Sequence, residues 1–343
     1  MRIALDVMGG DYAPDEIIKG AIEAKPLLEK DDRLILIGNQ GVIESFLQSN
    51  NCSMGDFEVV DAPENIGMDE SPVDALRKKR KSSIAVMAKM GAHNETDAVI
   101  SAGNTGACVA ACQLRMRTLE GVLRPGIAVV LPTLGGPVTM CDVGANVACK
   151  PINLYQYAVM ASVYSERVLG IKNPRIAIMS IGEEDAKGNE LVKKTRQLLK
   201  SDSNLNFIGN LEGRDIFDGV ADVVVCEGFV GNVILKLTEG LVNMIFKAIK
   251  QELLAASMKL ALEFKPILTE IYKKYDYHEY GGAPLLGING TALMCHGTSK
   301  SRTIKNAIMA SKKFISMRIN EQIKEYLAST TVKANGDQTE NPV

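Results

Sequence analysis

The sequence predicts an α/β protein built on a doubly wound, largely parallel sheet from which a helical hairpin projects. Three observations carry that expectation. Short β-branched and aliphatic runs alternate with helical periodicity over most of the chain. Several of those runs end directly in Gly, Asn or Asp, as strands do where they turn into helices. After Asn232 the alternation gives way to a long apolar helical pattern.

The first strand is expected at 3–7, within MRIALDVMGG, whose short apolar run stops at Asp6 and Gly9-Gly10 and lacks the long apolar core and cleavage site of a secretion signal. Further strands are expected at 34–37, 57–60, 98–100, 127–131, 138–143, 175–181, 206–209 and 222–226. A single helix is then expected over 233–264. It repeats apolar residues from Val242 through Ile249 to Phe264 at three- and four-residue steps, and Pro266 marks its end. At ~1.5 Å per residue it would be roughly 48 Å long, so part of it must project or pack on another subunit. A second helix is expected over 267–277. The segment LLAASMKLALEF is apolar on more than one face, which suits dimer packing or contact of the tip with a membrane surface. A turn-rich stretch over 280–290, YGGAPLLGING, leads to a strand-like run at 293–295, then HGTS, a final helix over 300–327, and a polar tail, 330–343, expected to be disordered. No linker or repeat divides the chain, so one catalytic domain over 1–329 is expected, with its hairpin at 233–278.

Composition excludes some roles. With 46% hydrophobic and 23% charged residues among 343, the chain can bury a large core. A net charge of -2 gives no global attraction to nucleic acid or anionic lipid, so an acidic partner must meet a local basic patch. No uninterrupted apolar stretch approaches the ~20 residues of a membrane span, so any membrane contact is expected to be peripheral. Seven cysteines form no CxxC pair, which suits reduced thiols in a cytoplasmic protein. Cys108 and Cys112 stand four apart without the further ligands of a tetrahedral site, so neither metal nor cofactor is expected.

Five turns hold the candidate chemistry: DVMGGD at 6–11, SAGNTGA at 101–107, DVGAN at 142–146, SIGEEDAKGNE at 180–190 and EGFVGN at 227–232. Ligands of open α/β sheets bind beyond the carboxyl ends of strands, where exposed N–H groups and helix dipoles favour an anion. Any one glycine can simply serve a tight turn; their recurrence argues for an anion-friendly cleft. The candidate phosphate or substrate ligands are Asp6, Gly9, Gly10, Asn104, Thr105, Gly106, Asp142, Gly144, Asn146, Lys150, Gly231 and His296. Asp6 and Asp11 read better as loop anchors than as cation ligands. Lys150 precedes Pro151 and reads equally as a helix start. The run Arg77, Lys78, Lys79, Arg80, Lys81, with Arg115, Arg117 and Arg124, is either a solvated face or a docking patch.

Taken in order, MRIALDVMGGDYAP, SAGNTGA, DVGAN with ACKP, GNELVKKT, NFIGNLEGRDIF, ADVVVCEGFVGN, YGGAPLLGING and the HG of CHGTS span about 1–320. The series resembles the acyl carrier protein:phosphate acyltransferases of bacterial phospholipid synthesis, the PlsX type. The resemblance implies a Rossmann-like three-layer sandwich, a homodimer and peripheral membrane association. It implies transfer of a long-chain fatty acyl group from acyl carrier protein to inorganic phosphate, giving an acyl phosphate for a downstream glycerol-phosphate acyltransferase in phosphatidic acid synthesis. Arg77, Lys78, Lys79 and Arg80 would then dock the acidic carrier. The resemblance also makes Lys187 and Asn232 the catalytic residues, the lysine neutralising phosphate or the developing oxyanion and the amide donating to the thioester carbonyl. On the residues alone, Lys187 reads as a solvent-facing lysine and Asn232 as a helix cap. Phosphate is already an anion, so positioning matters more than a strong base, and no GxSxG elbow accompanies the three histidines. Ala148 and Cys149 stand where a polar or acidic residue is expected, and Glu227 where Asp is common. Three other readings are weighed: a phosphotransacetylase-like enzyme using acyl-CoA, a non-catalytic membrane scaffold, and a dehydrogenase of the related fold, against which the lack of a GxGxxG with a downstream ribose acid argues.

Overall fold

The computed structural model describes residues 1–275, 281–330 and 332. Eleven strands among them form one sheet: β1 (Arg2–Asp6), β2 (Arg33–Gly38), β3 (Glu58–Asp61), β4 (Ala98–Ser101), β5 (Gly126–Thr133), β6 (Gly136–Cys141), β7 (Ile176–Met179), β8 (Phe207–Leu211), β9 (Val223–Val225), β10 (Ala283–Leu286) and β11 (Thr291–Met294). Each strand expected from the sequence is present. The addition is β10, inside the stretch over 280–290 that reads as turns. Gly281, Gly282 and Gly287, all at positive φ, crowd this short run, and its strand conformation comes from pairing with β11 and β5 rather than from local propensity.

The spatial order is β3-β2-β1-β4-β11-β10-β5-β6-β9-β7-β8. The set β3 to β11 is parallel, and so is the set β6 to β8. Between them the β11–β10, β10–β5 and β5–β6 pairs are antiparallel, so the two parallel sets point in opposite directions. Their registers are staggered. Ser101 pairs with Met294 and Met294 with Ala283, while β10 meets β5 at Leu285–Ile127. On the other side Cys141 pairs with Ala128 and with Val225. The carboxyl ends of both sets therefore meet near the middle of β5.

Helices α1 (Asp15–Ala24), α2 (Gln40–Ser49), α3 (Pro72–Lys78), α4 (Ser83–Ala92), α5 (Thr105–Arg115), α6 (Pro151–Val168) and α7 (Glu190–Ser201) follow in chain order. Both sheet faces are covered. On one side α4 and α5 pack Met87, Val109 and Cys112 with Val99, Met140 and Val224; on the other, α6 packs Tyr155, Tyr157 and Ala158 with Ile176 and Val223. The α/β three-layer arrangement expected from the sequence is thus present.

The long helical region divides differently from expectation. α8 (Gly228–Ala256) ends where Ser257 is extended, with φ -170° and ψ 133°, and α9 (Met258–Lys274) packs back on α8 through a T-shaped contact of Phe246 with Tyr272. Pro266 lies inside α9 and ends nothing. The small residues Ala255, Ala256 and Ser257 allow the reversal, so the break precedes the proline. α8 is long and apolar enough to cross a bilayer by length and composition, although Lys236, Glu239 and Lys247 interrupt its apolar run in the sequence. The last expected helix is two, α10 (Ser301–Ser316) and α11 (Ile319–Ser329), divided at Arg318 in the left-handed region with φ 51°. Thr330, expected to open the polar tail, is buried with its hydroxyl 2.8 Å from that of Tyr155. The remaining tail, 331 and 333–343, and the expected helix end at 276–277 lie outside the described residues.

Candidate functional site

Asp142, directly after β6, organises one side of the strand-end junction. Its Oδ1 accepts hydrogen bonds from the amides of Ile127, Gly144 and Ala145 at 3.0–3.1 Å, and Oδ2 accepts from the amide of Asn146 at 2.7 Å. Burial pushes the Asp142 carboxyl above its usual range even though these amides favour its anion. The amides of Gly144, Ala145 and Asn146, which the sequence offered as an anion cradle, are therefore turned inward onto the chain's own carboxylate. The Asn146 side chain donates to the Pro125 carbonyl at 2.6 Å, and its own carbonyl accepts from the Gly228 amide at 2.8 Å. The turn thus seats the start of α8.

That seating requires glycine at 231. A methyl group there would overlap the Asp142 carbonyl oxygen and lie 3.0 Å from Cys226 Sγ. Glu227 is the true cap of α8, its carboxylate accepting from the amides of Phe229 at 2.6 Å and Val230 at 3.1 Å. Asn232 is accordingly not a cap. It stands in the second turn, exposed, with its amide over Gly144, where a Cβ would lie 3.7 Å from the Asn232 Oδ1.

The opposite side comes from the ends of β1, β4 and β11. Asp6 is buried, accepts from the Ser101 hydroxyl at 2.6 Å and the Met8 amide at 3.1 Å, and has its carboxyl raised by burial. It anchors the turn. A methyl group at Gly9 would overlap this carboxylate and lie 2.7 Å from the Gly103 amide nitrogen, so these two turns touch; Gly10, at φ 111°, brings the Asp11 amide to the Gly297 carbonyl at 2.8 Å. Asn104 caps α5 by accepting from the Ala107 amide at 3.0 Å, and its Nδ2 donates to the carbonyls of Gly67, Met68 and Glu70 at 3.1–3.2 Å. Its amide is committed to structure, whereas Thr105 and Gly106 are exposed in the first turn of α5.

These elements enclose a cavity of about 300 Å3, lined by Asp11, Thr105, Asn232, Lys236, Glu239 and His296 over a floor from Ile127 to Val130. No motif in the sequence marks Lys236. It lies one helical turn beyond Asn232 on the same face of α8, a spacing readable once α8 is known to begin at Gly228. Its ammonium contacts His296 Nε2 and lies 3.0 Å from Glu239 Oε2, while His296 Nδ1 is 2.8 Å from the Thr298 hydroxyl.

Other expected residues lie elsewhere. Lys187 is exposed in the loop after β7, held there by its amide donating to the Glu184 carbonyl at 2.9 Å, and is not among the residues lining the cavity. Lys150 precedes Pro151 at the start of α6, with its amide donating to Asn153 Oδ1 at 2.8 Å. In the basic run, Arg77, Lys78 and Arg80 are exposed, but Lys79 Nζ is tied to the Asn65 carbonyl at 2.7 Å and to Glu70 at 2.5 Å. All seven cysteines are free; burial raises the Cys141 and Cys226 thiols, and that of Cys295 to about 12, which argues against a thiolate nucleophile among these three.

The profile of the fatty acid synthesis protein family matches residues 1–322. A phosphate acyltransferase of Heliobacterium modesticaldum is 48% identical over 95% of this chain and 98% of its own. One from Dictyoglomus turgidum is 44% identical over 96% and 99%. Among solved structures, a phosphotransacetylase from Streptococcus pyogenes superposes with TM-score 0.63 at 16% identity, covering 92% of this chain and 94% of that one. The EutD phosphotransacetylase of Staphylococcus aureus gives 0.57 at 16%, covering 91% and 94%, a likeness of fold. By its near-complete match to both the family profile and these relatives, the chain belongs to the phosphate acyltransferase family.

Proposed function

We propose that the protein transfers a long-chain fatty acyl group from the thioester of acyl carrier protein to inorganic phosphate. A phosphate oxygen adds to the thioester carbonyl carbon, forming the C–O bond as the carbonyl electrons pass to its oxygen; collapse of that oxyanion breaks the C–S bond, and the carrier leaves as a thiolate that takes up a proton from water. The carrying observation is that Asn232 and Lys236 share one face of α8, across a cavity from the exposed first turn of α5. Lys236 neutralises phosphate, the first-turn amides of α5 favour its negative charge, and the Asn232 amide donates to the carbonyl oxygen as it becomes an oxyanion. Because the amides after β6 already serve Asp142, phosphate falls to Thr105, Gly106 and Lys236 in this reading. Lys187, exposed on the loop leaving β7 and outside the cavity lining, stands as the second candidate cation on the family resemblance alone.

The remaining parts of the reading have separate supports. Exposed Arg77, Lys78 and Arg80 suit an acidic carrier, and free thiols suit the cytoplasm. The apolar side chains exposed on α8 and α9, among them Leu237, Met244, Met258 and Leu262, suit a second copy in a homodimer or a peripheral membrane contact. The product is a mixed anhydride, reactive enough to acylate a hydroxyl in a downstream glycerol-phosphate acyltransferase. The test incubates the protein with phosphate and palmitoyl carrier protein, or acetyl-CoA, and measures free thiol and acyl phosphate together. Equal release of both from the carrier is expected. Turnover of acetyl-CoA alone would favour the phosphotransacetylase-like reading that the fold likeness raises.

A further inference from the structure

The cavity at Asn232 continues. A second space of about 470 Å3 shares Leu235, Glu239 and His296 with it and extends between the sheet and the α8–α9 hairpin. Its wall on α8 is a single helical face: beyond Asn232, Leu235 and Lys236 come Glu239, Val242, Asn243 and Phe246, at three- and four-residue steps. Its floor is β5, with Ile127 and Val129 under the polar end and Leu131 and Pro132 under the far end. Phe217 lines it as well. At the far end Tyr272 of α9 meets Phe246 edge-on, with ring centroids 5.3 Å apart and planes at 81°. Lys236, His296 and the Asn232 amide stand at one end of this channel, and at the other, Asn243 apart, Leu131, Val242, Ile245 and Phe246 make the wall mainly hydrocarbon, which is the pattern that fits a ligand with a polar reacting head and an apolar tail.

Two independent lengths agree. From Asn232 to Phe246, at ~1.5 Å per residue, the helix advances roughly 21 Å. From Ile127 to Pro132, at ~3.3 Å per residue, the strand advances roughly 17 Å. An extended hydrocarbon advances roughly 1.3 Å per carbon from its ~1.5 Å bonds, so the channel takes about 13–16 carbons. We propose that it seats the acyl tail of the donor and that the Phe246–Tyr272 pair is the stop that sets the upper chain length. This inference rests on the acyl-transfer reading and adds where the tail lies and what limits it.

Each buried methylene is worth about fourfold in affinity or kcat/KM. The experiment measures thiol release by the full-length protein from carrier charged with decanoyl, palmitoyl or arachidoyl groups, with binding of the fluorescent fatty acid parinaric acid as a readout independent of catalysis. Phe246→Ala opens the stop and raises the arachidoyl-to-palmitoyl ratio of kcat/KM by about tenfold or more. Val242→Phe fills the channel midway, lowers the palmitoyl-to-decanoyl ratio by about tenfold or more, and weakens parinaric acid binding in proportion. Opposite shifts separate selectivity from misfolding, which lowers all rates together; if either variant is inactive, Phe246→Leu and Val242→Met replace it and the same ratios and parinaric acid affinities decide. Unchanged ratios and unchanged parinaric acid binding overturn the channel assignment. Failure of the unsubstituted protein to release thiol from any carrier overturns the acyl-transfer reading instead, and the binding of parinaric acid then decides the channel alone.

Discussion

Replacing Gly231 by alanine tests whether the seating of α8 on the turn after β6 sets the reaction geometry. A methyl group at 231 would overlap the Asp142 carbonyl oxygen, 2.9 Å from its carbon and 3.0 Å from Cys226 Sγ. The opposing atoms are backbone, and the turn behind them is pinned by the amides of Ile127, Gly144, Ala145 and Asn146 on the Asp142 carboxylate. The turn cannot give way cheaply, so α8 must shift. Overpacking of this kind costs about 1–3 kcal/mol, which lowers Tm by about 1–4 °C in a chain of this size. The shift displaces Asn232, the next residue, and Lys236 one turn on; a displacement of ~1 Å costs about a hundredfold in kcat. Gly240→Ala is the control, because nothing lies within 4 Å of its Cβ position, and it should raise stability by about 0.5–1 kcal/mol and leave kcat as it was. Thermal unfolding followed by far-UV circular dichroism and thiol release are the assays. A Gly231→Ala protein with unchanged Tm and unchanged kcat would refute the argument.

Lys236→Met should lower kcat/KM for phosphate about a hundredfold, with Lys236→Arg recovering part of it; titrating phosphate at saturating donor checks this, and an unchanged phosphate dependence would remove Lys236 from the site. Charge reversal at Arg77, Lys78 and Arg80 together should raise KM for the carrier about tenfold at low salt and less at high salt, whereas Lys79→Ala should instead lower Tm because its ammonium ties Asn65 and Glu70. Burial opposes ionisation of Asp32, but Lys312 at 2.5 Å and the terminal ammonium at 2.7 Å lower its carboxyl from 3.8 to about 2. A depressed carboxylate contributes stability above its unfolded value and loses it as pH falls, so about 2 kcal/mol should vanish between pH ~4 and ~2. Denaturant melts across that window should show the slope, and Asp32→Asn should flatten it.

Strand positions were legible because runs such as Leu34 to Ile37 and Val223 to Val225 are buried, and burial demands the β-branched and aliphatic residues that mark a strand locally. The direction of a strand carries no such mark, so the opposition of the two parallel sets had to come from the register. The glycines around β10 mask its strand character, and Pro266 is a stronger local helix breaker than Ser257, although the chain reverses at the serine. Within the site, glycine and asparagine indicated turns at the right places but not which way their amides face. At 144–146 they face Asp142, and at 104 the side chain holds the 67–70 loop; both depend on neighbours distant in the sequence. Lys236 was concealed for a simpler reason, since one lysine in a long apolar helix looks like a solubilising charge until its contact with His296, sixty residues on, is known.

The staggered, opposed strand sets have a mechanical consequence. Thr105 and His296 belong to one set and Asn232 and Lys236 to the other, and β10 and β5 join them only through antiparallel pairings. Sliding β5 along either neighbour by a single residue would carry one group of side chains roughly 3.3 Å past the other and turn the floor side chains over. The hydrogen-bond ladder that makes the sheet continuous is therefore also the gauge that, in the proposed reaction, would space phosphate from thioester, and neither strand set alone supplies the lining of the cavity.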